Sequence, residues 1–391
     1  MTLKPIPFGK PMLGDAERAA VADVLAGTTL VHGPVTHAFE QAFAERAGAR
    51  HAISVASCTA GLHLALLARG IGPGDAVVVP AMTHVATAHA VEFCGARPVF
   101  VDVQPDTGNL DPDGVERALT ESKARAVMVV HYLGLPCEMD RINALAGKAR
   151  AMVVEDCALA LDATWDGRKA GTLGAVGCFS FYPVKHMTTI EGGMVTTNDD
   201  ALAAAIAQRK AFGYDRTLDK RSKPGVYDVT VLGYNYRMNE VEAAVGLAQM
   251  AGLDEVQRRR ANNDRVIRAG LAVLPEVTVF APERGPAKSS HYCLNAVLPP
   301  DGSIDRDRVA ALMKEDGIGT SIHYPEAVPL MTYYRDKYGY TPGSFPVAEW
   351  LARQTISLPV GPHLEDGDAE RVAHSFVTAV AKARTEQSKG G

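Results

Sequence analysis

Residues 51–79, HAISVASCTAGLHLALLARGIGPGDAVVV, decide the fold. They open on an apolar strand, His51 to Val55, and pass through small residues into a helical pattern from Thr59 to Arg69, with Leu62, Leu66 and Leu67 at helical spacing. Gly70 stops the helix, Gly72-Pro73-Gly74-Asp75 turns the chain, and a second apolar strand runs from Ala76 to Val79. A strand of consecutive valines, reached through a helix, is the signature of a parallel sheet buried on both faces.

The same alternation continues outward to Thr197. Further strands are expected at Pro98 to Val103, Ala126 to Val130, Ala151 to Val154, Gly177 to Phe181 and Gly193 to Thr196. Helices are expected at Thr83 to Phe93, Pro112 to Leu119, Met139 to Ala149 and Asp199 to Ala211. After about Gly246 the pattern changes to a long charged helix through Arg258, Arg259 and Arg260, then to strands, loops and a last helix from Gly367 to about Thr385. This predicts an α/β protein of two domains: residues 1–246, a large, mostly parallel sheet with helices on both faces and an amino-terminal arm, and residues 247–391, a smaller α+β unit. No internal repeat is visible, and the chain ends on a short polar tail, Lys389-Gly390-Gly391.

The balance of residues excludes several functions. A net charge of -5 offers no basic face for nucleic acid and no polybasic segment for anionic lipid. The opening MTLKPIPFGKPMLGD lacks the apolar core of a signal peptide, and no run reaches the roughly eighteen apolar residues of a membrane span, so a cytoplasmic protein is expected. The six cysteines, Cys58, Cys94, Cys137, Cys157, Cys178 and Cys293, have neither C-x-x-C spacing nor the density of a disulfide scaffold. Reduced thiols are expected, with no metal at the site.

Three places could carry chemistry. The strand from Ala151 to Val154 delivers Glu155-Asp156 at its carboxyl end, where open α/β sheets bind ligands. A carboxylate there suits a protonated pyridine ring, although an acid in that position serves as often as a helix cap or ion-pair partner. Lys185 directly follows the buried strand that ends near Phe181. Burial would lower its amine toward the nucleophilic state that imine formation requires; the alternative is a lysine reaching out to solvent. Ser57-Cys58-Thr59-Ala60, between strand and helix, would present backbone N–H groups to a phosphate at a positive helix end, or would simply be a good helix cap.

With these residues in view, the chain resembles the DegT/DnrJ/StrS family of pyridoxal phosphate (PLP)-dependent sugar aminotransferases, of the type I fold. The resemblance covers nearly the whole length. It is carried by Pro5-Ile6-Pro7-Phe8-Gly9, Gly33-Pro34, the blocks of residues 57–66, 72–75, 80–87 and 98–103, Glu155-Asp156, residues 177–185, Glu191-Gly192-Gly193 and Gly233-Tyr234-Asn235-Tyr236-Arg237-Met238. Toward the end it is carried by Gly319-Thr320-Ser321-Ile322-His323-Tyr324-Pro325, residues 345–349 and Ser357-Leu358-Pro359. It implies that Lys185 forms the Schiff base and later moves the substrate proton, and that Asp156 pairs with the pyridine nitrogen. It further implies that Ser180 and the backbone at Cys58 and Thr59 hold the phosphate, and that Asn235 reaches the phosphate in the neighbouring subunit of a homodimer. His84 takes the ring-stacking position and could offer a proton, and His323 and Tyr324 fall near the substrate. The implied reaction moves an amino group from an amino-acid donor, glutamate, to the keto group of a nucleotide-linked sugar.

Three residues depart from the family's usage: Leu159, where Gln or His is usual near the cofactor's phenolic oxygen; His84, where a larger aromatic ring is common; and Cys58, where Gly is common. Rival readings are a PLP-dependent sugar dehydratase, an aminotransferase acting on a cyclitol or other non-nucleotide ketone, and a cofactor-free regulator on the same fold. The family's dehydratases carry His at the lysine position, and the register of Pro183-Val184-Lys185-His186 places lysine there.

Overall fold

The computed structural model describes residues 4–215 and 226–390, so the first three residues of the opening stretch and the final Gly391 of the polar tail lie outside the described residues. Five strands come first: β1 (His51–Val55), β2 (Ala76–Pro80), β3 (Arg97–Val101), β4 (Ala126–Val130) and β5 (Met152–Asp156). The short pair β6 (Thr164–Trp165) and β7 (Arg168–Lys169) precedes β8 (Val176–Ser180) and β9 (Gly193–Thr197). Seven of these form one sheet in the order β1-β9-β8-β5-β4-β2-β3. Pairs among β2, β3, β4, β5 and β8 are parallel, whereas β9 runs antiparallel to both β8 and β1. The valines read from sequence are interior: Val77, Val78, Val79, Val127 and Val129 have no exposed surface, and each contributes about 1.5–3 kcal/mol by leaving water.

Helices cover both faces: α1 (Asp15–Ala26), α2 (Pro34–Ala47), α3 (Cys58–Ala68), α4 (Val85–Phe93), α5 (Pro112–Ser122), α6 (Met139–Ala149), α7 (Asp200–Lys210) and α8 (Glu240–Met250). Two of their starts position the site. α3 begins at Cys58 because the extended residue Ser57 accepts the Ala60 N–H at 3.1 Å. α4 begins at Val85, two residues after the expected Thr83, because His84 is its cap. The division expected near Gly246 falls inside α8, which a capping box at Asn239 and Glu242 starts cleanly. The chain turns at Gly252 before α9 (Leu253–Leu271).

The later chain adds β10 (Thr278–Val279), β11 (Glu283–Arg284), β12 (Ala287–Lys288), β13 (Leu294–Val297) and β14 (Thr355–Leu358), with α10 (Arg306–Glu315), α11 (Thr332–Tyr338), α12 (Pro346–Gln354) and α13 (Asp368–Gly390). A three-stranded antiparallel sheet, β10-β13-β14, shares an apolar core with α9, α10 and α13. β12 instead pairs with β6, so a late segment completes a small sheet begun much earlier in the chain. The amino-terminal segment straps across as well: Ile6 N–H donates to Gly317 O at 2.9 Å, and a side chain on Gly9 would press on Val184 at 3.0 Å. Among the described residues no helix is long and apolar enough to cross a membrane, and all six cysteines are buried and free.

Candidate functional site

Asp156 is the last residue of β5, and successive residues of a strand face opposite sides of the sheet. Val154 belongs to the core cluster that contains α3 and α4 residues, so Asp156 faces those helices. It is 5% exposed. Its Oδ2 accepts the Thr87 hydroxyl at 2.8 Å; its Oδ1 accepts the Ala158 N–H at 3.1 Å and lies 3.8 Å from the Cys58 thiol. Among the described residues it has no ion-pair partner.

Lys185 stands in the loop joining β8 to β9. Phe181 anchors that loop, accepting the Thr189 N–H and the Thr188 hydroxyl at 3.0 Å each, while Lys185 N–H donates to Tyr182 O at 3.0 Å. The ammonium nitrogen lies 5.1 Å from the centre of the Tyr292 ring and makes no ion pair among the described residues. Burial pulls its pKa below the ordinary lysine value against an opposing pull from Asp156. Arg260, 5% exposed, donates to Tyr292 O at 2.8 Å and reaches Lys185 O at 3.5 Å, bracing the same corner. His186, the neighbour in register, is spent on structure: its Nε2 bonds Ser290 O at 2.9 Å, and burial holds the ring well below its usual pKa.

The small-residue turn fits an anion. The amides of Cys58 and Thr59 and the hydroxyls of Thr59 and Ser180 have no hydrogen-bond partner among the described residues, and the two amides stand at the positive end of α3. Ser180 pairs with Gly193 in the sheet, and a side chain on Gly193 would meet the Cys58 nitrogen at 2.6 Å. Glycine therefore lets β9 close on the turn and sets Ser180 and Cys58 on either side of one strand.

His84 holds its ring by accepting the Ala86 N–H at Nδ1, 3.2 Å, which puts the ring proton on Nε2. Desolvation and the nearby Lys185 lower its pKa. The ring meets that of Tyr324 edge-on at 5.9 Å, and Tyr324 also packs on His323 and Tyr132. His323 bonds Ser357 Oγ at 2.9 Å, and burial lowers its pKa to about 3. Tyr132 donates to His323 O, tying this segment to the end of β4. Leu159 is buried and apolar, 2% exposed, in the same core cluster as Cys58 and Tyr292.

The fold thus brings together Cys58, His84, Asp156, Lys185, His323 and Tyr324, with Thr59 and Ser180 on the adjoining turn. Asn235 lies apart from them. It is exposed, and its Oδ1 accepts from Arg237 Nε at 2.9 Å. Its segment is fixed by the bond from Ala56 N–H to Tyr236 O at 2.8 Å. Reading the sequence missed Thr87, Tyr292 and Arg260. Thr87 stood in a quoted block without a role, and the other two reach Lys185 only through tertiary packing.

Solved structures share this arrangement of the chain. Spr1654 of Streptococcus pneumoniae, named as a sugar aminotransferase and solved in its PMP form, superposes with a TM-score of 0.91 at 27% identity, over 98% of this chain and 100% of that one. The aminotransferase TlmJ of Streptoalloteichus hindustanus gives 0.89 at 34% identity, over 97% and 100%. Helicobacter pylori PseC, an aminotransferase involved in the biosynthesis of pseudoaminic acid, gives 0.90 at 25% identity, over 97% and 100%. Fold and matches together define a type I fold enzyme whose cofactor is pyridoxal phosphate. The family model of the DegT/DnrJ/EryC1/StrS aminotransferases matches residues 11–377, and the chain belongs to that family and is an aminotransferase.

Proposed function

We propose that the enzyme transfers an amino group from glutamate to the keto group of a nucleotide-linked deoxysugar. It would act in the cytoplasm, as a homodimer in which Asn235 of each subunit reaches the cofactor phosphate of the other. Pyridoxal phosphate, when bound, supplies an aldehyde that takes up the amino group and a protonated ring that accepts electron density from the carbon losing its proton. Lys185 is the residue that would hold the cofactor covalently and, as a free amine, carry the proton on and off the substrate carbon. Asp156 would keep the ring nitrogen protonated. Cys58 and Thr59 amides, with the Ser180 hydroxyl, would bind the phosphate; His84 would pack on the ring; His323 and Tyr324 would border the substrate.

The observation that carries this reading is the Lys185 amine: its pKa is lowered by burial, and it lies within the electrostatic reach of the buried Asp156, neither group having an ion-pair partner among the described residues. Its placement favours amino transfer over sugar dehydration, because the histidine beside it is bonded away from the site. The sugar acceptor is supported by the family and by PseC's part in making pseudoaminic acid. The test is the visible absorbance of purified protein with the cofactor, before and after glutamate, for wild type and Lys185→Ala, followed by turnover on nucleotide-linked keto-sugars and on a cyclitol ketone. A glutamate-driven spectral change in wild type alone, with turnover on the nucleotide sugar, is the expected result. A silent spectrum, or turnover confined to the cyclitol, overturns the donor or the acceptor assignment respectively.

A further inference from the structure

We propose that Thr83 and Thr87 form a one-way hydroxyl chain that positions Asp156, with Thr87 occupying one lone pair of Oδ2 so that the other is aimed at the cofactor's ring nitrogen. The proposal rests on the assignment of Asp156 made above and deepens it. Thr83 Oγ1 and Thr87 Oγ1 are 2.8 Å apart, and Thr87 Oγ1 is 2.8 Å from Asp156 Oδ2. Neither threonine has any exposed surface.

Counting protons fixes the direction. An ionised carboxylate only accepts, so the single Thr87 proton goes to Asp156, and Thr83 must donate to the oxygen of Thr87. A helical threonine commonly satisfies its hydroxyl on the backbone carbonyl four residues back. Thr87 does not; its proton is committed to another element of the fold.

Counting lone pairs gives the target. Oδ1 receives the Ala158 N–H and faces the Cys58 thiol, whose sulfur is nearer Cys178 O, at 3.4 Å. Among the described residues, Oδ2 receives Thr87 alone and Asp156 has no ion-pair partner. One acceptor position on Oδ2 is therefore open on a buried carboxylate met by neutral donors, the arrangement that a protonated ring nitrogen completes. The start of α4 couples the two sides of the site: His84 caps the helix, and Thr87, whose N–H bonds His84 O at 3.1 Å, comes one turn later. The same backbone turn that sets the His84 ring sets the donor on Asp156.

The test uses holoenzyme reconstituted with pyridoxal phosphate labelled with nitrogen-15 in the ring, whose chemical shift reports ring protonation directly. Wild type and Thr87→Ser should titrate alike. In Thr87→Val a misaimed Asp156 should make a weaker bond to the ring nitrogen, which should lose its proton about one pH unit lower, with kcat roughly tenfold down. Thr83→Val should shift the titration in the same direction by less, and it serves alone if Thr87→Val does not fold. A Thr87→Val enzyme that titrates like wild type, or a Thr87→Ser enzyme that behaves like the valine variant, overturns the positioning role. Asp156→Asn separates the two levels: if its ring nitrogen stays protonated, the Asp156 assignment itself falls; if it deprotonates while the threonine variants do not shift, only the positioning role of the threonines falls.

Discussion

Glu155 and Asp156 are neighbours on one strand, both buried, and they do opposite things. Glu155 faces the other side of the sheet, where it accepts backbone N–H groups from Gly171, Leu173 and Gly174 at 2.8, 2.8 and 2.6 Å, and bonds His131 Nε2 at 2.9 Å. His131 takes the Cys137 N–H on its other nitrogen, so both oxygens of Glu155 have two partners each and the ring beside it is satisfied too. Asp156 has two good donors, a distant thiol and an acceptor position to spare. Burial alone does not distinguish a carboxylate that builds the fold from one that binds a ligand; the unfilled acceptor does.

Variants put that contrast to the test. The largest effect is expected for Lys185→Ala, which should lower turnover at least about a thousandfold without loss of thermal stability, since it removes the amine proposed to move the proton and takes it out of an unfavourable buried setting. Asp156→Asn should lower kcat by roughly a hundredfold with the circular dichroism spectrum intact. Glu155→Gln should do the reverse. It opposes an amide donor to backbone donors, which should cost about 1–3 kcal/mol in urea denaturation while turnover per folded molecule holds. Should Glu155→Gln instead abolish turnover at full stability, the division of labour between the two faces is wrong. His84→Phe keeps a ring over the site and loses the Nε2 proton, so kcat/KM should fall by no more than about tenfold.

The smallest effect concerns pH. His323 is held at about 3 by burial, whereas an unfolded histidine titrates near 6.5. Below that upper value the unfolded chain binds the extra proton, so this residue's contribution to stability falls as pH drops from about 6.5 toward 3. His323→Asn should therefore flatten the decline of Tm between pH 7 and pH 5, by roughly 1 °C, in scanning calorimetry.

Where the sequence is read correctly, the signal is local. β1, β4 and α6 match the expected residues end to end, because an apolar run, or a helix with Met139, Ile142, Leu145 and Ala146 on one buried face, carries its own period. Most of what the reading misses is non-local or weakly patterned. Gly193 to Thr196 reads as one more interior strand, and nothing in its valine and threonine content reveals that it runs antiparallel, because burial on two faces looks the same in either direction. α1 is alanine-rich and largely exposed, so no apolar stripe announces it, whereas α2 carries Phe39, Phe43 and Ala47 at helical spacing, legible in the sequence but missed by the reading. In the site, Lys185, Asp156 and the Ser57 turn are legible because strand ends predict where side chains converge. Thr87, Tyr292 and Arg260 are legible only once helix and loop have been brought to the same corner.

The way His323 and Tyr324 close over His84 also has a consequence for synthesis on the ribosome. Cys58, Thr87, Asp156 and Lys185 all leave the exit tunnel well before Tyr292, and Tyr292 before His323 and Tyr324. A nascent chain can therefore carry the lysine, the carboxylate and the small-residue turn while the aromatic wall that shields them has yet to be made. Because the bond between Tyr132 and His323 spans so much of the sequence, that wall forms late, and the half-built site stays open to water until it does.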